Sequence, residues 1–394
     1  MKVAGIIAEF NPFHNGHAAL AQAARQSGAT HVAAVMSGNF VQRGGPAIAE
    51  KRVRAHAALL GGVDLVLELP LPFATATAQR FALGGVGLLA ATGRVDLLCF
   101  GSESGDVPAL AQLAELLDDA ELDKHIQRRL RTGDTYAKAR QLAVEELSRG
   151  VFPGLASPND TLAVEYLRAA RQLNWCPQVF ALRRRGVAHD QSTPSGAFAS
   201  ASHLRGIAAD WDSLGRYMPR AGVLILRDAQ QRGLYPAALS LAERAVLTQL
   251  RSLPRQALAE LPDLSEGLEN RLYGAIRQAV SLEELYALLK TKRYTLARLR
   301  RLVLHAFLGI TKHDTATPAP YLRVLGFNRR GGEILGHMNA SLPVDTRLAR
   351  LRGQSPVCGH FAHLEEHATD LYTLMLPQPQ PCGYDYTAGA VYLK

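Results

Sequence analysis

The chain has 394 residues, of which 47 % are hydrophobic and 20 % are charged, so it is a globular protein with room for two or three domains rather than a disordered polymer. Lysine and arginine outnumber aspartate and glutamate by 44 to 35, and the net charge of +9 favours a polyanionic partner. The four cysteines form no Cys-x-x-Cys pair, which argues against a disulfide scaffold and a zinc ribbon. We see no signal-peptide pattern and no apolar run of about 18 residues, and therefore expect a cytoplasmic protein without a membrane partner.

An apolar segment at residues 3–9 predicts the first strand, and the Asn11-Pro12 pair ends it because proline cannot donate a ladder hydrogen bond. The pattern that follows is helical, so His14 and His17 lie at a strand-to-helix turn. The first N–H groups of a helix are unpaired and carry the positive end of its dipole, which attracts anions. The His-x-Gly-His motif therefore predicts a phosphate site, in which Gly16 allows the close approach of a nucleotide. Two ordinary surface histidines beside a turn are the alternative.

Strand-like and helix-like segments alternate as far as about residue 205. The predicted strands are nearly continuous apolar runs, typical of parallel strands buried on both faces, at residues 3–9, 31–36, 64–68, 96–100 and 178–183. The predicted helices are at residues 17–27, 50–60, 75–92, 107–122 and 161–173. This alternation predicts an α/β fold with a doubly wound, parallel, Rossmann-like sheet, whose ligands bind beyond the carboxyl ends of the strands.

Polar or glycine-rich loops follow four of these strands, at residues 11–17, 36–44, 101–105 and 183–186. A Ser-Pro-Asn-Asp segment at 157–160 predicts a helix cap, and its Asn159 offers hydrogen bonds to a base or ribose. Ser200, Ser202 and Arg205 lie at another helix start, where hydroxyls and a guanidinium suit a β,γ-diphosphate. A simple capped surface helix would have the same pattern.

Helical periodicity dominates from about residue 207 to 312, at residues 238–252, 267–279, 281–289 and 296–310. We therefore predict two domains, an ATP-binding domain over residues 1–206 and a mainly helical domain over residues 207–394. The second contains six basic residues and no acidic one between residues 290 and 301, namely Lys290, Lys292, Arg293, Arg298, Arg300 and Arg301. With Tyr294 interleaved, this stretch predicts an RNA-backbone site, a solvated helix face being the alternative.

A helical stretch near the end, residues 361–376, contains His363 and His367 with the spacing of a zinc-protease motif. The sequence offers no third ligand that we can assign. We interpret the match as coincidence and predict no metal held by protein side chains.

Seven segments in this order resemble the bacterial tRNA(Met) cytidine acetate ligase family, within the nucleotidyltransferase-like HxGH superfamily: residues 9–17, 36–44, 68–70, 100–103, 157–159, 292–295 and 321–327. The resemblance extends over nearly the whole chain. It implies an enzyme that activates acetate with ATP as acetyl-adenylate. The acetyl group would then pass to N4 of the wobble cytidine 34 of elongator tRNA(Met), with no part for DNA.

The resemblance also implies an ATP site, which carried over position by position comprises Ile7, Glu9, Asn11, Pro12, Phe13, His14, Asn15, Gly16, His17, Leu20, Gly101, Asn159 and Arg184. The serines at 200 and 202 would add to it. Arg183, Arg184 and Arg185 are consecutive, and the spacing to Gly186 favours Arg184. Family members commonly have a third histidine where this chain has Leu20, and a tyrosine where it has Ala188.

For the reaction we expect His14, His17, Arg184 and Arg205 to stabilise charge on the phosphates, with Mg²⁺ bridging phosphate oxygens. Two other functions fit parts of the sequence. A small-molecule adenylyltransferase explains the histidine motif but leaves the basic stretch without a role. A non-catalytic, ATP-responsive RNA-binding protein is the second.

Overall fold

The structure is a computed structural model that describes residues 1–134, 136–148, 157–184, 196–265 and 267–394. The strands are β1 Val3–Ala8, β2 His31–Ser37, β3 Phe40–Val41, β4 Gly45–Pro46, β5 Leu65–Leu69, β6 Leu97–Ser102, β7 Gln178–Arg183, β8 Leu322–Asn328, β9 Val344–Asp345 and β10 Val391–Leu393. Helices of the first half are α1 Asn15–Gln26, α2 Lys51–Leu60, α3 Leu71–Ala74, α4 Ala78–Ala91, α5 Val107–Leu116, α6 Ala120–Arg131, α7 Tyr136–Leu147, α8 Pro158–Gln172 and α9 Ala201–Gly206. Those of the second half are α10 Trp211–Tyr217, α11 Arg220–Gln231, α12 Glu243–Ser252, α13 Arg255–Ala259, α14 Leu268–Gln278, α15 Leu282–Leu289, α16 Leu296–Leu308, α17 Lys312–Ala316, α18 Arg329–Gly336, α19 Leu348–Arg352, α20 Pro356–Thr373 and α21 Tyr384–Thr387, with a 3₁₀ turn at Leu239–Ala242.

The main sheet has the strand order β10-β8-β5-β2-β1-β6-β7, and β9 pairs with β8. All five predicted strands are present and run parallel to one another, so the predicted α/β fold is confirmed. The register of β1 against β2 runs from the Val3–His31 pair to the Ala8–Met36 pair. Their carboxyl ends therefore lie side by side.

Alternate residues of β2 explain why the predicted strands read as continuous apolar runs. Ala33 and Val35 pack in the core that includes residues of α4, α5 and α8, on one face of the sheet. Val32, Ala34 and Met36 pack in the core with residues of α1 and α2, on the other face. A strand that is covered on both faces has no solvent-facing side, so its alternate residues do not have to be polar.

The predicted helix boundaries were wrong at two places. The helix predicted over 75–92 begins only at Ala78, as α4, because the chain turns at Thr75–Thr77 after the short helix α3. The segment predicted over 107–122 ends as α5 at Leu116, and α6 begins at Ala120 after Asp119 caps it. The capping side chain of Asp119, inside an apolar pattern, marks the second of these boundaries.

The C-terminal part of the chain returns to the sheet. Strand β8 pairs antiparallel with β5, and β10 pairs parallel with β8. Residues 322–393 thus supply three strands to a sheet that the sequence assigned to residues 1–206. A helical core formed largely by α11, α12, α14, α15, α16 and α20 lies beside it. The predicted domain boundary at residue 206 remains a prediction. The second half of the chain contains the strands β8, β9 and β10 as well as helices.

A buried ion cluster joins β8 and the end of the chain to the sheet. Arg323, which is 1 % exposed, pairs with Glu68 at 2.9 Å and with Asp385 at 2.8 Å. Lys51 pairs with the same two carboxylates at 2.7 and 2.8 Å, and Arg52 with Asp385 at 2.8 Å.

Within the described residues, no helix is long and apolar enough to span a bilayer.

Candidate nucleotide site and basic helix

His14 and His17 lie side by side at the start of α1, just beyond the carboxyl end of β1. Nδ1 of His14 accepts a hydrogen bond from the backbone N–H of Gly16 at 3.1 Å, and Nδ1 of His17 accepts one from the backbone N–H of His14 at 3.2 Å. The rings are stacked, with centroids 3.8 Å apart and planes inclined by 22°. This reciprocal capping box fixes both imidazoles on the turn where the sequence predicts them.

The same hydrogen bonds decide which nitrogen carries the proton. Because Nδ1 of each ring accepts an N–H, the proton of the neutral imidazole is on Nε2. Burial lowers the pKa of His14 to about 3, and the charge of Arg184 acts in the same direction. Burial also lowers the pKa of His17 well below its ordinary value, followed by the effects of His14 and Arg184. Both rings are therefore neutral Nε2–H donors near pH 7, a form suited to phosphate oxygens.

Gly16 is required by the neighbouring imidazole. A Cβ at this position would lie 2.9 Å from Cε1 and 3.1 Å from Nδ1 of His14. Two aromatic rings support the pair from the protein side, Phe10 at 4.9 Å and Phe13 at 5.5 Å from the His17 ring, measured between centroids. Phe10 has a φ of 46°, a conformation that non-glycine residues rarely adopt, so the loop between β1 and α1 is locally strained.

A carboxylate and two arginines lie next to the histidines. Oε1 of Glu9 accepts the backbone N–H of Gln42 at 3.0 Å. Burial raises the pKa of Glu9, while the charges of Arg205 and Arg43 act to lower it. Arg205 donates from α9 to the carbonyl of Asn11 at 2.9 Å, and burial lowers its pKa. The fold thus brings Arg205 to the motif from almost two hundred residues away.

The two asparagines of the motif are engaged with the protein itself. Oδ1 of Asn11 accepts the backbone N–H of Ile48 at 2.7 Å. Nδ2 of Asn15 donates to the carbonyls of Ala197 and Arg216, at 2.9 and 3.2 Å. These bonds hold the motif against neighbouring loops, and contacts of the two asparagines with ATP stay predictions.

Four other predicted ATP-site residues are apolar and support the backbone. Ile7 and Leu20 are each 7 % exposed and belong to the cores on opposite faces of the sheet. Phe13 is 1 % exposed, and Pro12 follows a cis peptide bond. Their side chains position β1 and α1, so the groups that they could offer to a nucleotide are backbone groups.

Arg184 lies against Gly101. A Cβ on this glycine would be 3.6 Å from Cγ and 3.7 Å from Cδ of Arg184. Its charge also lowers the pKa of both histidines, so the guanidinium acts electrostatically on the histidine site. The neighbouring Arg183 is exposed, and Arg185 lies outside the described residues together with Gly186, Ala188 and the His189-Asp190 pair.

Glu103 organises the loop that carries Asn159. Its carboxylate accepts hydrogen bonds from the hydroxyl of Ser157, the side-chain amide of Asn159 and the backbone N–H of Asp160. Burial acts to raise the pKa of Glu103, but the bonds from Ser157 and Asn159 outweigh it and the pKa is lowered. The side-chain oxygen of Asn159 is the group that it could still offer to a ligand.

The serines at 200 and 202 have different surroundings. Ser200 is buried and is the N-cap of α9, where its hydroxyl accepts the backbone N–H of His203 at 3.2 Å. Ser202 is exposed in the first turn of the same helix. Arg205 contacts the motif from the carboxyl end of the same helix, and phosphate binding by Ser200 and Ser202 stays a prediction.

A buried arginine that the sequence did not single out joins the carboxyl ends of β1 and β2. Arg54 of α2 is 1 % exposed and donates to the carbonyls of Glu9 at 2.6 Å, Ser37 at 3.0 Å and Ala49 at 2.9 Å, and also to that of Gly38. Burial lowers its pKa. A single arginine in a helical pattern is typical of a solvent-exposed position, so the sequence does not predict that Arg54 is buried and binds these carbonyls.

The predicted RNA-binding stretch includes the loop before α16 and the first turns of that helix. Lys292, Arg293 and Arg300 are exposed. Lys290 is also exposed and donates to the carbonyl of Tyr294 at 2.7 Å. These four cations are accessible to a polyanion.

Tyr294, the aromatic residue interleaved in this stretch, is buried and does not face the solvent. Its side chain is 7 % exposed, and its hydroxyl is bonded to the Ser265 hydroxyl at 3.0 Å. The guanidinium of Arg298 covers the ring at 5.1 Å from its centroid and donates to the carbonyl of Asp263 at 2.6 Å. From the loop before α16 the tyrosine packs in the helical core, and Arg298 is partly committed to holding it there.

Arg301 connects the basic stretch to the β3–β4 hairpin beside the histidines. Its guanidinium donates to the carbonyl of Gln42 at 3.4 Å, and the N–H of the same Gln42 is bonded to Glu9. Gly44, with a φ of 80°, packs so closely that a Cβ on it would lie 2.5 Å from the Arg301 nitrogen. A single hairpin residue, Gln42, therefore connects Arg301 of the basic stretch to Glu9.

The exposed His363 and His367 are stacked on one face of α20, with ring centroids 6.2 Å apart. Between them, Glu365 is buried and accepts the backbone N–H of Leu71. The described part of the chain contains no group of three histidine, cysteine or acidic side chains placed to hold a metal ion.

Comparisons with known proteins agree with this geometry. A family model described as HIGH Nucleotidyl Transferase matches residues 1–385. A protein of Thermoanaerobacter sp. (strain X514) named tRNA(Met) cytidine acetate ligase is 36 % identical over 398 residues, which cover 98 % of each chain. One of the same name from Acetivibrio thermocellus is 34 % identical over 415 residues, which cover 100 % of each.

Solved structures give the same result. The crystal structure of Thermotoga maritima TmcAL bound with alpha-thio ATP is similar at a TM-score of 0.92 and 32 % identity, with 100 % of both chains covered. Its apo form has a TM-score of 0.93. A whole-chain family match, whole-length relatives and a whole-length structural match lead to one conclusion: the chain belongs to the tRNA(Met) cytidine acetate ligases, a family of ligases with a nucleotidyltransferase fold.

Proposed function

We propose that this chain activates acetate with ATP as acetyl-adenylate, releasing diphosphate, and then transfers the acetyl group to N4 of the wobble cytidine 34 of elongator tRNA(Met), with release of AMP. The observation that carries the proposal is the neutral imidazole pair at the end of β1, with Arg184 and Arg205 close to it. The alpha-thio ATP bound by the Thermotoga maritima relative supports ATP as the nucleotide. Family relatives named for tRNA(Met) support the RNA substrate and acetate.

In the first half-reaction the chain has to stabilise charge rather than remove a proton. Acetate is ionised at pH 7 and attacks the α-phosphorus directly. We propose that the Nε2–H groups of His14 and His17 donate to phosphate oxygens, while Arg184 and Arg205 offset the charge that develops on the α-phosphate and the departing diphosphate. Neutral imidazoles add donors without repelling the two guanidinium groups.

Mg²⁺ fits this site as an ion held mainly by phosphate oxygens and water. Of the described side chains beside the histidines, Glu9 is a carboxylate that could reach a coordinated water, with one oxygen committed to Gln42. Magnesium keeps several waters and needs few protein ligands. When bound, it would neutralise charge on the triphosphate.

In the second half-reaction the exocyclic amine of cytosine attacks the acetyl carbonyl of the adenylate. This amine is a weak nucleophile, so its placement supplies most of the acceleration. An unpaired anticodon base can be splayed out of its stack for this purpose. The proposal assigns the RNA backbone to Lys290, Lys292, Arg293, Arg298, Arg300 and Arg301. The packing of Arg301 against the hairpin supports it, since this hairpin also contacts Glu9.

The proposal is tested by mass spectrometry of tRNA after incubation with the protein, ATP and labelled acetate. We expect one labelled acetyl group on the wobble cytidine of elongator tRNA(Met), and none when ATP is replaced by a non-hydrolysable α,β analogue. A small-molecule adenylyltransferase would release diphosphate with a phosphate monoester while acetate stays inert. Tight tRNA binding without ATP turnover would support a non-catalytic binding protein instead.

A further inference from the structure

Two arginine side chains lie over the ring of Tyr273 in α14. The guanidinium carbon of Arg277 is 4.9 Å from the ring centroid, and that of Arg255, which comes from α13, is 5.5 Å from it. Both arginines are exposed, whereas the tyrosine is partly buried and packs against the helical core. The core therefore fixes the ring, and the ring holds two guanidinium groups at the surface by cation–π attraction.

These two cations have no carboxylate in ion-pair contact among the residues that the structure describes. Arg255 donates to the side-chain oxygen of Asn270, and Arg277 makes no hydrogen bond to any described residue. Glu269 is linked to the pair through Asn270, whose amide it accepts at 3.3 Å. The two guanidinium carbons are no farther apart than their two distances to the ring combined, close to the Debye length of about 10 Å at 0.1 M salt. Like charges at this separation repel each other, and an anion beside them would offset the repulsion.

Two neighbouring arginines are bonded to helix ends instead. Arg251 of α12 donates to the carbonyl of Ala279 at 2.8 Å, where α14 ends. Arg271 of α14 donates to the carbonyl of Leu289 at 3.1 Å, where α15 ends. Both satisfy carbonyls that a helix leaves unpaired. Arg277 has no such partner in the described part of the chain, so its N–H donors are free for a ligand.

Arg271 also connects this surface to the basic stretch that we assign to RNA. Its guanidinium lies 3.5 Å from the carbonyl oxygen of Lys290, the first cation of that stretch. Arg277 follows Arg271 by six residues, which is about 9 Å along the axis of α14. One strand of a duplex carries a charge about every 3.4 Å, so this distance corresponds to about three phosphates. The two basic surfaces are therefore adjacent.

We propose that Arg255 and Arg277, held by Tyr273, form a second contact surface for the tRNA backbone and bind phosphates of the anticodon stem. A guanidinium that lies over a ring keeps the N–H donors in its own plane for phosphate oxygens. The basic stretch contacts the hairpin beside the histidines through Arg301, whereas α14 packs against α12, α13 and α15. Backbone on α14 is thus farther from the reacting base, which lies in the anticodon loop. The inference rests on the proposed function for its RNA partner.

The surface is tested by the salt dependence of tRNA binding. Replacing Arg255 and Arg277 together by alanine should weaken binding of elongator tRNA(Met) by about tenfold or more at about 50 mM salt. The slope of log K against log salt should decrease by about 1.5 to 2, because two phosphate contacts are lost.

Replacing Arg329 and Arg330 together by alanine is the matched control, since it changes the net charge equally. Both are exposed at the start of α18, where Asn328 is bonded to Asp64 at 3.0 Å beside the start of β5. This is the edge of the sheet opposite the histidines. Equal slopes for the two double variants would overturn the proposal. A wild-type protein that binds no tRNA would refute the proposed function, and this inference with it.

The role of the ring is tested with Tyr273→Leu, which keeps both charges. Binding should weaken by about twofold to fivefold, as expected for an exposed cation–π contact, while the salt slope stays that of the wild type. Unchanged affinity would show that the ring does not position the arginines.

The assignment to the stem is tested by phosphate-ethylation interference with the anticodon stem-loop. Ethyl groups on about two stem phosphates should weaken binding to the wild type and have no further effect on the variant that lacks Arg255 and Arg277. Interference by the same phosphates in both proteins would refute the assignment, and so would differences confined to the loop.

Discussion

At the scale of single residues, the candidate site depends on hydrogen bonds that set protonation. Nδ1 of His14 and of His17 accept backbone N–H groups, so the capping of α1 also makes both rings Nε2–H donors. The hydrogen bonds that cap α1 therefore also set the protonation of the two imidazoles to which we assign the phosphate contacts.

Removing either imidazole should abolish activation. We expect His14→Ala and His17→Ala to reduce acetate-dependent ATP–diphosphate exchange by at least about 100-fold, the loss typical of a missing oxyanion donor. tRNA affinity, measured by filter binding, should stay near that of the wild type, because the basic stretch is unaltered. Exchange retained in either variant would contradict the role of that histidine.

Gly16→Ala should slow the same exchange without unfolding the protein. The new Cβ would lie 2.9 Å from Cε1 of His14 and displace that ring from its capping position. Gly336→Ala, at a helical glycine with open space around it, is the matched control and should leave exchange unchanged. Equal exchange rates in both variants would show that His14 tolerates the displacement.

Buried neutral histidines should make stability depend on pH. Burial lowers the pKa of His305 to about 3 from an ordinary value near 6.5, so between these values the unfolded state binds more protons. Stability should fall as pH decreases below 6.5, by up to about 1.4 kcal/mol per pH unit for this histidine. Urea unfolding from pH 7 to 5 should show a shallower decrease for His305→Gln than for the wild type. Identical slopes for His305→Gln and the wild type would contradict the assignment.

At the scale of secondary-structure elements, α16 and the β3–β4 hairpin connect the two halves of the proposed reaction. Arg301 and Glu9 are bonded to the carbonyl and the N–H of the same Gln42. The exposed arginines of the basic stretch, Arg293 and Arg300, precede this contact in sequence. The element that would hold RNA is thus fixed against the element that borders the nucleotide.

Replacing Arg293 and Arg300 together by alanine should weaken tRNA binding and lower its salt slope by about 2, since each exposed arginine would neutralise one phosphate. Exchange in the absence of tRNA is the internal comparison and should be unaffected. Adding Arg301→Ala should also slow exchange, because the hairpin contact is lost. A salt slope equal to that of the wild type in the double variant would show that the RNA lies elsewhere.

At the scale of the whole molecule, the sheet was predictable because its inner strands are apolar on both faces, and the histidine turn was predictable because its motif follows the first of them. Strand β8 was not predicted, because Arg323 lies within an otherwise apolar segment and a charged residue at such a position is typical of a loop. Of the two ion-pair partners of Arg323, Glu68 lies hundreds of residues away in the sequence and Asp385 lies tens of residues away. Sequence periodicity does not show that the tertiary fold will neutralise a buried charge. For the same reason, the sequence did not predict the buried position of Arg54.

Asp385→Ala should destabilise the whole protein. It would leave Lys51, Arg52 and Arg323 without a shared buried counter-charge, and breaking such a cluster costs about 3–5 kcal/mol. Urea unfolding monitored by circular dichroism measures the difference. Asp212→Ala, at an exposed helix start, is the control and should change stability by no more than about 1 kcal/mol. A loss no larger than that of the control would mean that the cluster adds nothing to stability.

The position of Asp385 in the chain has a consequence for biosynthesis. During translation, β1, β2 and β5 leave the ribosome more than three hundred residues before it does. Until then Lys51 lacks one of its two carboxylates, and until β8 emerges the β5 edge stays open to other chains. Ribosomes that stall before β8 is complete would therefore release chains with an unpaired strand edge that are aggregation-prone, and cellular quality control should degrade them.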